Sequence, residues 1–110
     1  MVTLIYQPGE AVFRAIADPT RRGILQLLRE RRRTVGEIAR NFSTSRPAIS
    51  KHLRLLRSAG LVITHRYGTA RICELNAAPL RAISDWIRDY EAFWSGSLNN
   101  LKRYVEEEDR

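Results

Sequence analysis

The chain has 110 residues, a formal net charge of +7 and 44% hydrophobic residues. This length fits one domain, and the apolar content excludes wholesale disorder. No apolar run reaches the length of a membrane span and the first residues lack a signal-peptide pattern, so we expect a cytoplasmic protein. The single cysteine, Cys73, excludes an internal disulfide framework.

The positive charge is concentrated in residues 21–57, which carry eleven basic and two acidic side chains. Residues 1–20 and 79–110 carry more acidic than basic side chains, and residues 58–78 have only a slight positive excess. A local basic field raises the rate and the affinity of nucleic-acid binding. A solvated basic surface that only aids solubility would have the same composition, so charge alone leaves both interpretations open.

The first third of the chain is predicted to form three short helices. Apolar spacing predicts an amphipathic helix over residues 9–17. Asp18 is the predicted N-cap of a second helix, which has proline at its first position and runs to about Arg31. A third helix is predicted over residues 34–41, because a threonine and a glutamate three residues later form a capping-box pattern.

The next predicted helix, over residues 45–58, has two faces of opposite character. It begins at Ser45, a good N-cap, and ends before Gly60, which favours a left-handed C-cap. Ile49, Leu53 and Leu56 are three or four residues apart and form an apolar stripe along one side of this helix. A second, polar stripe with the same spacing consists of Arg46, Ser50, Arg54 and Arg57. One face can therefore be buried while the other meets a polyanion, as a helix in a DNA groove requires.

The second half of the chain is predicted to contain a hairpin and a long helix. Residues 61–66 and 70–75 are rich in β-forming residues and are joined by residues 67–69, which predicts a β-hairpin. Cys73 alternates with Leu75 on the second strand, so we expect a small core residue there. From Pro79 the chain is predicted to be helical almost to its end. The predicted fold class is mainly α with a small β-hairpin.

A helix, a tight turn, a helix with a polar face and a basic hairpin follow one another in the order of a winged helix-turn-helix. Between Phe13 and Trp86 the chain resembles the ArsR/SmtB family of bacterial transcriptional repressors. The resemblance rests on three segments in order: Phe13-Arg-Ala-Ile-Ala-Asp-Pro-Thr-Arg-Arg-Gly-Ile-Leu25, Ser45-Arg-Pro-Ala-Ile-Ser-Lys-His-Leu53 and Ser58-Ala-Gly-Leu-Val62.

This resemblance implies a single winged-helix domain over residues 1–110 that binds double-stranded DNA as a homodimer. The helix-turn-helix would span residues 34–58 and the wing residues 61–75, with dimerisation helices at 9–17 and 79–105. A two-fold axis would then place two helices in the major groove of a pseudo-palindromic operator. Repression would follow by blocking RNA polymerase, although binding chemistry alone leaves an activator open.

Side-chain chemistry assigns roles within this expected interface. Arg46 and Ser50 are the candidates for base-edge contacts, since arginine can bond guanine bidentately. Ser45 can offer its hydroxyl or backbone N–H to a phosphate. The candidate DNA-contacting residues are Ser45, Arg46, Pro47, Ser50, Lys51, His52 and Arg54 on the helix and Arg66, Tyr67, Thr69 and Arg71 on the hairpin.

Two of these assignments, those of His52 and Arg54, have equally simple structural alternatives. His52 can instead be a hydrogen-bonded packing residue, and this interpretation is favoured for the other histidine, His65. Arg54 and Arg57 can belong to a solvated helix face.

Apolar residues near both ends of the chain exceed what one small domain should expose, and a symmetric partner would bury them. The candidate dimer-interface residues are Val12, Phe13, Leu80, Ile83, Ile87, Tyr90, Trp94, Leu98 and Leu101. Two alternatives remain open. The last helix can fold back on its own domain, with a break near residues 95–97, or Trp86, Tyr90 and Trp94 can line a pocket for an organic effector.

The resemblance also directs attention to two places where metal-sensing relatives carry ligands. Here residues 35–40 contain no thiol, and Asp85, Asp89 and Glu91 stand without a histidine. We therefore expect neither a metal nor a cofactor, and the effector, if there is one, is unknown.

Other function classes fit the sequence less well. A thiol switch at Cys73 is disfavoured because the chain has no resolving cysteine. The chain shows no nucleophile–base pair or phosphate-binding glycine loop, so we expect no enzyme. A winged helix that binds protein or RNA is a further alternative, which the polar face at Arg46 and Ser50 disfavours.

Overall fold

The computed structural model describes residues 9–108, except for the side chains of residues 97–100. A mainly helical chain surrounds one small antiparallel sheet, as predicted, and a single 3-10 turn at Ala78–Leu80 precedes the last two helices. In chain order the elements are α1 (Glu10–Ile16), α2 (Pro19–Glu30), β1 (Arg33–Thr34), α3 (Val35–Ala39), α4 (Arg46–Ser58), β2 (Val62–Tyr67), β3 (Ala70–Leu75), α5 (Arg81–Arg88) and α6 (Glu91–Glu108).

The predicted N-caps of three helices are confirmed. The Asp18 carboxylate accepts a hydrogen bond from the backbone N–H of Arg21 at 3.1 Å at the start of α2. Thr34 and Glu37 form a complete capping box on α3. Ser45 Oγ accepts from the backbone N–H of Ala48 at 3.3 Å at the start of α4. These bonds satisfy amides that have no partner within their own helices and so fix where each helix begins.

The C-terminal end of α4 is closed by Gly60, whose φ of +78° lies in the left-handed region. The Gly60 N–H donates to the Arg57 carbonyl and the Leu61 N–H to the Leu56 carbonyl, both at 2.9 Å. This is the Schellman pattern, which ends a helix in one turn of chain. Leu61 and Val62 follow directly and are buried, so α4 passes into β2 with no loose linker.

The core lies beneath α4. Ile49, Leu53 and Leu56 are at most 1% exposed, which confirms the apolar stripe predicted for this helix. Cys73 from β3 is fully buried beside them, and this burial raises the pKa of its thiol. The other core residues are Val12, Ala15, Ile24, Leu28, Val35, Ile38, Leu61 and Val62.

The sheet has three strands in the order β1-β3-β2, not the two strands of the predicted hairpin. Arg33 pairs with Cys73 and Thr34 with Ile72, so β1 lies along the outer edge of β3. A two-residue strand is too short to show the alternation by which strands are recognised. The hairpin connection is also one residue shorter than predicted, because Tyr67 pairs with Ala70 and only residues 68–69 form the turn.

The long helix predicted over residues 79–105 is two helices. The break lies at residues 89–90, between α5 and α6. The alternative break near residues 95–97 is wrong, because α6 runs unbroken through Gly96. Within residues 9–108 no helix is both long enough and apolar enough to cross a bilayer.

Several residues assigned to a dimer interface are used within their own chain. Val12, a candidate for the dimer interface, is 5% exposed and belongs to the core of its own chain. Leu80 and Ile83 pack against the same core. Phe13 meets Trp86 edge-on with ring centroids 5.6 Å apart, which joins α1 to α5.

The remaining interface candidates lie further along the two C-terminal helices. Ile87 is partly buried, whereas Tyr90, Trp94 and Leu101 are exposed. The side chain of Leu98 lies outside the described residues.

Candidate nucleic-acid interface

The outward face of α4 presents the side chains that the sequence assigns to DNA contact. Ser45, Arg46, Pro47, Lys51 and Arg54 are exposed, and Ser50 is partly exposed. Ser45 Oγ accepts the capping bond, which leaves its O–H free to donate to an oxygen of a ligand. Because the opposite stripe is buried in the core, this face is held outward.

The arginines of residues 21–57 fall into two groups. Six of them donate to protein oxygens: Arg21 and Arg22 to the end of α1, Arg31, Arg32 and Arg33 to Glu37, Glu74 and Glu30, and Arg57 to Thr64. Arg46 and Arg54, together with Lys51, form no hydrogen bond or ion pair with any residue that the structure describes. The charge available to a ligand is therefore smaller than the composition suggests, and part of it lies on α4.

The wing extends this cationic surface. Arg66 of β2 and Arg71 of β3 are directly opposite in the register, so their side chains leave the same face of the sheet. Both are exposed, and neither pairs with an acidic group among the described residues. Like charges directly opposite each other destabilise a hairpin, so this pair is unfavourable unless an anion lies between or beside them.

Arg71 also faces the start of α4. A cleft of about 230 Å³ is lined by Arg46, Thr69 and Arg71 together with residues 34–36. Three of the predicted site residues, from two separate elements, thus meet at one polar opening. Tyr67 is 57% exposed but lies on the other face of the sheet from Arg66, because side chains alternate along a strand.

The two histidines are structural in their contacts. His52 is partly buried, and its Nδ1 lies 3.2 Å from an Arg21 Nη1 on α2, which favours the packing interpretation. His65 Nε2 lies 2.7 Å from Glu74 Oε2, as the packing interpretation predicted. Arg57 is partly buried with Nη1 3.5 Å from Thr64 Oγ1, so its contact is to the wing strand.

The wing is held at its base by Glu74, a contact that the sequence analysis missed. Its carboxylate meets His65 at 2.7 Å and an Arg32 Nη at 3.0 Å. The hydrogen bond from His65, and then the one from Arg32, lower the pKa of Glu74 below its usual value. The register could have suggested the first contact, because Glu74 pairs with Ile63, two residues before His65 on the same face.

Replacing Glu74 by glutamine is expected to destabilise the fold near neutral pH and to have no such effect in acid. A carboxyl with a lowered folded-state pKa contributes stability above its unfolded pKa of about 4.3, and that contribution is lost as the pH falls through the folded value. Urea unfolding at equal protein concentration should therefore show a difference in stability between wild type and E74Q near neutral pH that shrinks as the pH is lowered below about 4. Asp18 and Glu37 also have lowered pKa values, but both residues are present in wild type and in E74Q, so their contributions cancel in the difference. A difference independent of pH would contradict a role for the charge.

Among the side chains that the structure describes, no three of the histidine, cysteine, aspartate and glutamate residues lie close enough together to hold a metal ion. Trp86 and Tyr90 do lie together, with ring centroids 5.3 Å apart, and both are exposed. These aromatics therefore form an open surface band.

A buried helix stripe, an outward cationic face and a basic wing define a winged helix-turn-helix DNA-binding protein. Comparison with known proteins supports this class. Residues 18–64 match the family described as "Bacterial regulatory protein, arsR family". HTH-type transcriptional regulator Rv2034 of Mycobacterium tuberculosis is 35% identical over 103 residues, which are 94% of this chain and 94% of that protein.

Two further comparisons agree. Transcriptional repressor SdpR of Bacillus subtilis is 42% identical over 79 residues, covering 72% of this chain and 88% of that protein. The crystal structure of the ArsR family transcriptional regulator RHA00566 superposes with a TM-score of 0.72 at 32% identity, covering 81% of this chain and 98% of that one. The chain belongs to the ArsR family, and it is a DNA-binding transcriptional regulator, not an enzyme.

Proposed function

We propose that this regulator is a homodimeric repressor that reads a pseudo-palindromic operator through the major groove. The observation that carries the proposal is the convergence of three arginines without acidic partners. Arg66 and Arg71 oppose each other on the wing, and Arg71 shares a cleft with Arg46 at the start of α4. A DNA strand that passes along this cleft would relieve the repulsion and bring bases to the first turns of α4.

Within this proposal the side chains have separate roles. Arg46 and Ser50 contact base edges, while Ser45, Pro47, Lys51 and Arg54 lie against the backbone beside them. Arg66, Thr69 and Arg71 hold the flanking phosphates, which position the protein without reading sequence. Tyr67 contacts the DNA backbone from the other face of the wing. His52, which lies against Arg21 of α2, supports the helix that carries these contacts.

The proposed dimer is supported by an aromatic band, the exposed rings of Trp86, Tyr90, Phe93 and Trp94 along α5, α6 and the break between them. Trp86, Tyr90, Phe93 and Trp94 are between 44% and 75% exposed, although large aromatics are usually covered. A two-fold axis through this band would bury two copies of it and relate the two α4 helices by the same symmetry. The proposed half-sites then lie about one helical turn, or about 10 bp, apart.

Repression is supported by the likeness to SdpR, which is named a transcriptional repressor. A dimer seated across a promoter excludes RNA polymerase from the same stretch of DNA.

Selection of duplexes from a random library with the intact protein tests this function. We expect bound sequences to contain two inverted half-sites about 10 bp apart, occupied by two chains. The logarithm of the affinity should fall with the logarithm of salt concentration by about 0.9 for each phosphate neutralised. Transcription in vitro from a promoter that overlaps the selected site should decrease when protein is added. Selection of lone half-sites, or stronger binding to single strands or RNA, would contradict the proposal.

A further inference from the structure

Arg21 connects the end of α1 to the middle of α4. Its Nε donates to the Ala15 carbonyl at 2.6 Å, and one Nη donates to the Arg14 carbonyl at 3.0 Å. These carbonyls lie in the last turn of α1, and the Arg14 carbonyl also accepts a hydrogen bond from the backbone N–H of Ala17. The other Nη lies 3.2 Å from Nδ1 of His52 on α4. One guanidinium therefore spans two helices that are distant in sequence.

The chemistry of this contact bears on the tautomer of the His52 ring. A guanidinium has five N–H donors and no acceptor, so Nδ1 of His52 must accept and the ring proton resides on Nε2. Asp18 Oδ2 lies 3.9 Å from the same Nδ1, beyond hydrogen-bonding distance. Asp18 instead accepts from the Arg21 backbone N–H. Arg21 is thus the hydrogen-bond partner of His52 at this nitrogen.

The position of His52 on α4 gives the contact its consequence. Leu53, the next residue, is buried in the core stripe, and Lys51, the preceding one, is exposed. Burial of the stripe sets the depth of α4 and determines which face of the helix points outward. A hydrogen bond on the flank of the helix is directional, so it narrows the remaining range of rotation about the helix axis. That rotation decides where Arg46 and Ser50 point.

We propose that Arg21 is a positioning residue for DNA recognition, which restrains the rotation of α4 relative to α1 through His52. A displacement of α1 then changes how well the protein distinguishes its operator from other DNA. This inference rests on the proposed base-reading role of Arg46 and Ser50.

Arg22 provides a matched control. Its Nη1 donates to the Ile16 carbonyl at 2.8 Å, so it binds the same end of α1. No hydrogen bond joins Arg22 to α4 among the residues that the structure describes. Arg21→Gln and Arg22→Gln therefore both remove bonds at the end of α1, but only Arg21→Gln also releases His52.

The test compares the affinity for a duplex selected from a random library by the wild-type protein with that for a scrambled duplex of equal composition. We expect R22Q to keep the wild-type ratio and R21Q to lower it about tenfold, because R21Q weakens a base contact in each copy without removing it. H52A should lower the ratio similarly, and adding R21Q to H52A should lower it no further. Equal ratios for R21Q and R22Q, or independent effects of R21Q and H52A, would overturn the proposal.

A nitrogen–proton correlation spectrum of His52 gives a second measurement that needs no DNA. The ring should carry its proton on Nε2 in wild type and in R22Q, and should lose this preference in R21Q. A ring protonated on Nδ1 in the wild-type protein would overturn the link even if R21Q failed to fold. A wild-type protein that did not prefer the selected duplex would instead contradict the function proposed above, and the spectrum would still test the link.

Discussion

Replacing Arg46 by alanine is expected to remove most of the preference for the operator while the protein still binds DNA. A bidentate arginine–base contact contributes about 1–3 kcal/mol of discrimination, and a dimer makes the contact twice. The ratio of operator to scrambled-duplex affinity should therefore fall by about 100-fold at fixed salt. Arg46 is exposed and forms no hydrogen bond or ion pair with described residues, so we expect the substitution to leave the stability of the fold unchanged. Titration of the two duplexes in a gel-shift assay measures the ratio.

Arg66→Ala is the matched control on the wing. Arg66 is also an exposed arginine without an acidic partner among the described residues, but it lies at the wing tip opposite Arg71. We expect R66A to weaken binding to both duplexes alike and to reduce the salt slope, because a phosphate contact carries no sequence information. An R46A protein that retained the wild-type ratio would show that Arg46 does not read bases.

The second large effect is expected at the proposed dimer interface. Trp94 is 44% exposed at the start of α6, and truncation of a tryptophan at the centre of an interface costs about 2 kcal/mol or more. W94A should therefore raise the dimer dissociation constant at least about 30-fold, with a parallel loss of operator affinity. Sedimentation equilibrium across a concentration series measures the dissociation constant directly.

Glu91→Ala on the same helix supplies the control. Glu91 is exposed and lies one turn before Trp94, at the edge of the aromatic band, so we expect its removal to change the dissociation constant much less than W94A does. If W94A associated like the wild type, the aromatic band would not be the interface. The effector pocket suggested by the sequence at Trp86, Tyr90 and Trp94 would then become the better explanation of the band.

Local chemistry explains why much of the fold could be predicted. Asp18, Thr34 and Ser45 cap their helices as expected, because a short polar side chain before a helix has one favourable set of partners. The core stripe of α4 was predictable for the same reason, since a spacing of threes and fours places Ile49 and Leu53 on one side.

The features that the sequence did not reveal depend on distant partners or on weak signals. The strand β1 exists only because Arg33 and Thr34 lie against β3. The break at residues 89–90 contains neither glycine nor proline, whereas Gly96, a weaker helix former, lies inside α6. The division of the arginines into internally bonded and outward-facing groups also required the packed structure, because Arg32 meets Glu74 from 42 residues away.

The tight junction at Gly60 has a consequence for how such regulators diversify. The first turns of α4 and the wing tip are parts of one stiff unit, since the helix passes into β2 without spare chain. If Arg46 and Ser50 read bases as proposed, a change at either position can alter the preferred bases while the contacts of the wing with the DNA backbone stay in place. New operator sequences are then accessible by single substitutions, whereas in the proposed dimer a change in half-site spacing requires a new arrangement of the C-terminal helices.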